Sequence, residues 1–86
     1  MNDINQKGAS PCGLSFEWDR EGEKLEIHGR ADDLERLASI LRTLSAREAN
    51  DHIHLMTPEW GGGGLSSEQQ NPSSVLINNV KILLWK

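Results

Sequence analysis

Residues 31–48 read ADDLERLASILRTLSARE, and this stretch decides the fold because the hydrophobic repeat changes here. Apolar residues recur three or four positions apart, which predicts an amphipathic helix with one buried face. The apolar face comprises Leu34, Leu37, Ala38, Leu41 and Leu44. Asp32 followed by Glu35 resembles a capping box, so we expect the helix to begin at this pair and to stop by Asn50.

The segment before the helix has the two-residue repeat of β-strands. LSFEWD (14–19) and KLEIHG (24–29) alternate apolar and polar residues, and the turn-forming sequence REGE separates them. We therefore predict a hairpin whose inward side chains are Leu14, Phe16, Trp18, Leu25 and Ile27. The outward side chains are then Ser15, Glu17, Asp19, Glu26 and His28.

The alternation returns after the helix in DHIHLM (51–56), which predicts a third strand with Ile53 and Leu55 inward. The closing segment SVLINNVKILLWK (74–86) changes phase at Asn78 and Asn79. We interpret this change as a bulge in one long strand, and a tight turn between two short strands is the alternative. The second part of the strand buries Val80, Ile82 and Leu84.

Residues 57–74 separate these strands and contain two prolines, four consecutive glycines and many serines, asparagines and glutamines, which predicts a long loop. The predicted order is therefore ββαββ. This is an α+β fold, a two-layer sandwich in which a mainly antiparallel sheet carries one helix on one face. The other face is left for solvent or for a partner.

Size and composition restrict the classes of protein to consider. A chain of 86 residues supports one domain, which we assign to residues 13–86, with residues 1–12 as a flexible tail. The net charge of -4 argues against nucleic acid, and no apolar run is long enough to span a membrane. Cys12 is the only cysteine, so an internal disulfide is excluded. The amino terminus lacks an apolar secretory stretch, and we expect a cytoplasmic protein.

Two histidines on the third strand are the first candidates for a functional site. His52 and His54 project to the same side about 6.5 to 7 Å apart, which is compatible with two zinc ligands. A third ligand would have to come from His28 or from an acid on a neighbouring strand, and Glu26 shares the predicted uncovered face. Polar residues that simply face solvent explain the pattern better, so we predict no bound metal and no cofactor. Lys81, Leu83 and Trp85 complete this predicted face.

The glycine run at residues 61–64 resembles a phosphate-binding loop only superficially, because no Lys-Ser or Lys-Thr follows it. Its glycines leave Trp60 on a flexible arm, where the indole either caps the core or serves as an exposed interface anchor. No serine, histidine or carboxylate stands in a recognisable nucleophile context. We therefore predict that the protein is not an enzyme.

The sequence DHIHLMTPEWGGGGLS (51–66), followed after a polar insert by INNVKILLW (77–85), resembles the immunity protein 32 family of bacterial polymorphic toxin systems. The similarity runs from the second strand through the helix to the carboxy terminus. It is densest at His52, His54, Leu55, Pro58, Trp60 and Gly61. Asn79 stands where the family pattern leads us to expect a histidine, and this difference weakens the histidine-rich metal site further.

The resemblance implies a cytoplasmic antidote that binds a cognate protein toxin and neutralises it. We expect the contact surface to comprise Glu26, His28, His52, His54, Pro58, Glu59, Trp60, Gly61 and Gly62. The alternatives are a small histidine-based metal-binding domain, a homodimeric structural domain and, with the least support, a small enzyme. A homodimer would pair through the bare sheet face or through the edge of the last strand.

Overall fold

The computed structural model describes residues 13–86, and the flexible tail predicted at residues 1–12 lies outside the described residues. In chain order the elements are β1 (Ser15–Asp19), β2 (Lys24–His28), α1 (Ala31–Ser45), β3 (Asp51–Met56), a 3-10 helix (Pro58–Trp60), β4 (Val75–Leu76) and β5 (Asn79–Leu84). Within residues 13–86, no helix has the length and apolar character needed to cross a membrane.

The strands pair antiparallel and form two sheets. β1 lies between β2 and β4 in a three-stranded sheet, whereas β3 pairs with β5 in a two-stranded sheet. The closing segment connects the sheets: the Ile77 N–H donates to the Phe16 carbonyl at 2.9 Å, and the Asn78 carbonyl accepts from the Thr57 N–H at 3.0 Å. The predicted bulge in one long strand is therefore wrong: at Asn78 the chain leaves one sheet and enters the other, so β4 and β5 are separate strands with different partners. The predicted α+β class is confirmed.

The helix begins earlier than the predicted capping box. The Asp33 carboxylate accepts hydrogen bonds from the backbone N–H of Arg30 at 3.0 Å and of Gly13 at 3.2 Å. Arg30 is the N-cap, so Asp33 occupies the third helical position and closes the first turn. The box predicted at Asp32 and Glu35 is therefore wrong, because the side chain that reaches back to the cap comes from a position between them.

The core is small and lies between the helix and the sheets. Its buried members are Leu14, Phe16, Leu55 and Leu65, each at most 5% exposed. The partly buried residues packed against them are Leu37, Ile40, Ile77, Val80 and Ile82. Along β3, Leu55 is buried while His52 and His54 are exposed, so the predicted register of this strand is confirmed.

Five large apolar residues predicted for the core are exposed instead. They are Trp18 (39% exposed), Leu25 (51%), Ile27 (46%), Leu34 (45%) and Leu41 (41%). For Trp18, Leu25 and Ile27 the reason is the position of the helix, which packs on β3 and leaves the far part of the hairpin uncovered. The helix is also rotated from the predicted orientation, so that Ile40 packs against the core and Leu41 does not.

The long loop at residues 57–74 is attached to both sheets. The Leu65 N–H donates to the Met56 carbonyl at 3.1 Å, and the Ser66 N–H donates to the Leu14 carbonyl at 2.6 Å. Leu65 is only 2% exposed and is a core residue that the alternation of the strands did not predict. The loop thus contributes to the packing of the domain.

The same loop covers the hairpin face that was predicted to meet solvent. Ser15 and Glu17 are fully buried, and loop residues Gln70, Asn71 and Ser74 bond directly to Glu17. The expectation that these two side chains face water is wrong, because a segment more than fifty residues away in sequence folds over them.

Candidate partner-binding surface

The outer face of β3 and β5 mixes histidine, aliphatic and aromatic side chains. His52 and His54 are exposed on β3, opposite Leu83 and Lys81 of β5 respectively. Leu83 is 48% exposed, and Trp85, in phase with it just beyond the strand, is 78% exposed. Exposed aromatic and aliphatic side chains beside polar ones are typical of surfaces that bind other proteins.

The two histidines contact each other through their rings. Their ring centroids lie 5.2 Å apart with an interplanar angle of 88°. Nδ1 of His54 lies 3.1 Å from Oδ1 of Asn79. Within residues 13–86, the one group of three side chains with metal-ligand spacing is Glu17, Glu26 and His28, so the histidine pair has no third ligand within reach.

The residues after β3 form a hydrogen-bonded turn that presents Trp60. The Trp60 N–H donates to the Thr57 carbonyl at 2.9 Å, and the Gly61 N–H donates to the Pro58 carbonyl at 2.9 Å. Trp60 is 58% exposed, and Pro58 and Glu59 beside it are exposed as well. The sequence left two positions open for the indole, packed on the core or exposed, and in the structure it is exposed.

Two of the four glycines have a structural requirement in this turn. Gly61 has a φ of 87°, in the left-handed region that side-chain-bearing residues rarely adopt. A Cβ on Gly62 would lie 2.6 Å from the Met56 Cβ, so only glycine fits there without a shift. Because Met56 is in phase with His54 along β3, the turn lies against the end of the exposed histidine face.

A shallow pocket of about 250 Å³ lies at the opposite end of the same two strands. Its lining residues are Asn50, Asp51, His52, Leu83, Leu84 and Trp85. The Lys86 N–H donates to Oδ1 of Asn50 at 2.8 Å, which fixes the chain beyond β5 next to the residue preceding β3. The candidate surface thus extends from this pocket to the Trp60 turn.

A second polar arrangement is built around Glu17 in the three-stranded sheet. Oε1 accepts from the Asn71 N–H at 2.9 Å and from the Ser74 hydroxyl at 2.8 Å. Oε2 accepts from the Ser15 hydroxyl at 2.7 Å and from the Gln70 N–H at 2.8 Å. Both oxygens of this fully buried carboxylate therefore have two donors each.

These donors decide the ionisation of Glu17. Burial raises the pKa of the carboxyl, but the hydrogen bonds from the Gln70 backbone, Ser15, the Asn71 backbone and Ser74 together outweigh it. The net result is a pKa lowered from 4.5 to about 2. Glu17 is therefore ionised at neutral pH and holds the loop as a buried anion.

Glu26 and His28 belong to this polar arrangement and not to the histidine face. Nε2 of His28 lies 2.9 Å from Oε1 of Glu26, which also accepts from the Asn71 side-chain amide at 3.1 Å. The bond to His28, followed by the one from Asn71, lowers the pKa of Glu26. The predicted uncovered face is thus divided between two sheets, with Glu26 and His28 on one and His52 and His54 on the other.

Glu17, Glu26 and His28 offer three ligand atoms within 4.8 Å of one another, and carboxylate with imidazole is a donor set that zinc accepts. A metal ion would have to displace hydrogen-bond donors from Glu17, because each of its oxygens already accepts two. The geometry therefore fits a structural anion that anchors the loop better than it fits a metal ligand.

The fold and the exposed face together define a small α+β domain with a surface suited to binding another protein. The sequence model of the family described as immunity protein 32 matches residues 24–80, from β2 to the beginning of β5. Since this is more than half of the 86 residues, the chain belongs to the immunity protein 32 family. Searches of curated proteins and of solved structures gave no match.

Proposed function

We propose that the chain is an immunity protein that binds a cognate protein toxin in the cytoplasm and neutralises it by direct contact, without catalysis. Family membership supports the immunity role. The net charge of -4 favours a basic partner, because complementary charge accelerates the encounter and disfavours wrong partners.

The contact surface that we propose runs from His52 and His54 to the turn that carries Trp60. The single observation that carries this proposal is the combination of a 58% exposed indole with a backbone fixed by hydrogen bonds. A large aromatic side chain on a backbone that is already ordered loses comparatively little entropy when it is buried against a partner. Trp60 therefore has the properties of an interface anchor.

The neighbours of Trp60 have supporting roles in this proposal. Pro58 and the positive φ of Gly61 define the direction of the turn, and Gly62 allows it to lie against Met56. Glu59, exposed next to the indole, is placed to meet a basic side chain of the toxin. Glu26 and His28 lie on the other sheet, where they bond to each other. The proposed surface is therefore centred on β3 and the turn and does not include these two residues.

The proposal predicts a toxin gene beside this one, and the toxin domain that such a gene encodes is the probe for the test. Calorimetry of the purified chain against that domain should show that Trp60→Ala weakens binding about thirtyfold or more, equivalent to about 2 kcal/mol. His52→Ala, at a partly polar face, should weaken binding by less than about 1 kcal/mol. Co-expression of the toxin with each variant then reports neutralisation as cell growth.

Trp18→Ala is the matched control, because it removes a partly exposed indole from the other sheet. It should leave toxin affinity unchanged, and thermal melts should show that each variant remains folded. Unchanged affinity of Trp60→Ala combined with a large loss from Trp18→Ala would place the contact on the three-stranded sheet and refute the proposed surface.

A further inference from the structure

β2 is an edge strand whose outer backbone groups are available for pairing. The Phe16 carbonyl accepts from the Ile77 N–H, so the backbone groups of Phe16 point toward β4. Phe16 lies opposite Ile27 in the register of β1 and β2. Phe16 and Ile27 are therefore a pair that exchanges no backbone hydrogen bonds, and the N–H and C=O of Ile27 point away from β1. The backbone groups of Leu25, two residues earlier on the same strand, point the same way. Among residues 13–86, no strand pairs with that edge.

The side chains along this edge are apolar on one face. Leu25 and Ile27 are 51% and 46% exposed, and the register places Trp18 and Val75 on the same face. We call these four residues the hairpin patch. Such a strand, with alternating exposed aliphatic residues and no proline, is a template for pairing with another strand.

We infer that two copies of this chain pair antiparallel through β2, about a twofold axis at Leu25, and form one six-stranded sheet. The register follows from charge complementarity. A twofold axis at Leu25 places Lys24 of one copy opposite the partner's Glu26, and it does so twice. A twofold axis at Glu26 would instead place two carboxylates directly opposite each other, which is unfavourable.

The same register is supported by the backbone and by the hairpin patch. Leu25 points its N–H and C=O to the free edge, so the two central leucines exchange a pair of backbone hydrogen bonds. The hairpin patches of the two copies then become one continuous apolar surface across the axis. This interface lies on the three-stranded sheet, so it does not depend on the proposed toxin contact on β3.

Sedimentation across a series of concentrations tests the pairing. The unmodified chain should approach twice the monomer mass as concentration rises, whereas Leu25→Lys should remain monomeric because it places two ammonium groups at the axis. Leu41→Lys, which adds the same charge at a comparably exposed position on the helix, should still dimerise. Circular dichroism establishes that both variants are folded. A monomeric unmodified chain, or a dimeric Leu25→Lys chain, overturns the inference.

Mixing complementary variants tests the register. Leu25→Lys and Leu25→Glu should each be monomeric alone, and an equimolar mixture should form a heterodimer because the axis places position 25 of one copy opposite position 25 of the other. With an axis at Glu26, position 25 would face the partner's Ile27, and mixing would not restore the dimer. A mixture that stays monomeric therefore refutes the Leu25 axis.

Discussion

Glu17 is the residue on which the attachment of the long loop depends, and Glu17→Gln tests it. The amide has one oxygen, so its NH₂ group must face donors that the carboxylate accepted, including a backbone N–H of Gln70 or Asn71. We expect a loss of about 3 kcal/mol of unfolding free energy at neutral pH, measured by urea denaturation. Glu59→Gln is the control, because Glu59 is exposed, and it should change the unfolding free energy by less than about 0.5 kcal/mol.

The pH dependence of stability follows from the same carboxylate. Its pKa is about 2 in the folded chain against an ordinary value of 4.5, so the stabilising contribution is complete above about pH 4.5. It declines as the pH falls toward 2 and is absent below that value. Glu17→Gln should therefore flatten the stability profile in this range, and an unchanged acid transition would show that Glu17 is not the group responsible.

The glycine run provides a comparison of neighbouring positions. Gly62→Ala places a Cβ 2.6 Å from the Met56 Cβ and 3.0 Å from its carbonyl oxygen, so we expect a loss of about 1 to 3 kcal/mol. Gly63→Ala meets nothing within 4 Å and should be nearly neutral. Thermal melts of the two variants decide the matter: equal stability would mean that the turn does not lie against β3 as described.

The start of the helix can be tested in the same way. Asp33→Ala removes the acceptor for the N–H groups of Arg30 and Gly13, which should destabilise the fold by about 1 to 2 kcal/mol. Glu35→Ala, in the capping box expected from the sequence, should change stability by less than about 0.5 kcal/mol. A larger loss from Glu35→Ala would mean that the helix begins later than the structure has it.

Local sequence was sufficient to predict the buried face of those strands that have one apolar face and one polar face. The alternation in β3 and β5 predicted which side chains face the helix, because one side of each strand is apolar and the other polar or partly so. In β1 and β2 the same logic failed. Ser15 and Glu17 are buried by loop residues that follow them by more than fifty positions, and strand periodicity contains no information about such a distant cover.

The candidate site likewise combines features that the local sequence predicted with features that depend on distant parts of the chain. Trp60 and the exposed histidines were predicted from their neighbours in the chain, but the Glu17 anchor and the free edge of β2 were not. Among the loop donors only Ser74 uses its side chain, whereas Gln70 and Asn71 donate backbone N–H groups that any residue except proline supplies, so the local sequence contains little signal for the anchor. The edge of β2 depends on strand order, which a single sequence does not specify.

At the scale of the whole molecule, small size explains why so much apolar surface is exposed. The described chain measures 42 × 36 × 23 Å, and its one α-helix packs chiefly on β3. A domain of this length buries a comparatively small fraction of its surface, so aliphatic and aromatic side chains remain exposed on both sheets. Two separate surfaces result, the hairpin patch on one sheet and the Trp60 turn beside the other.

If these surfaces act independently, their variants should have separable effects. Leu25→Lys should abolish the dimer and leave toxin affinity per chain unchanged, whereas Trp60→Ala should weaken toxin binding and leave the dimer intact. Sites with no shared contacts combine additively to within about 0.5 kcal/mol, so the double variant should show both losses and no further one. Sedimentation and calorimetry on the same four proteins measure this. A loss of toxin affinity in Leu25→Lys would instead mean that the toxin uses the β2 edge, or binds only the dimer.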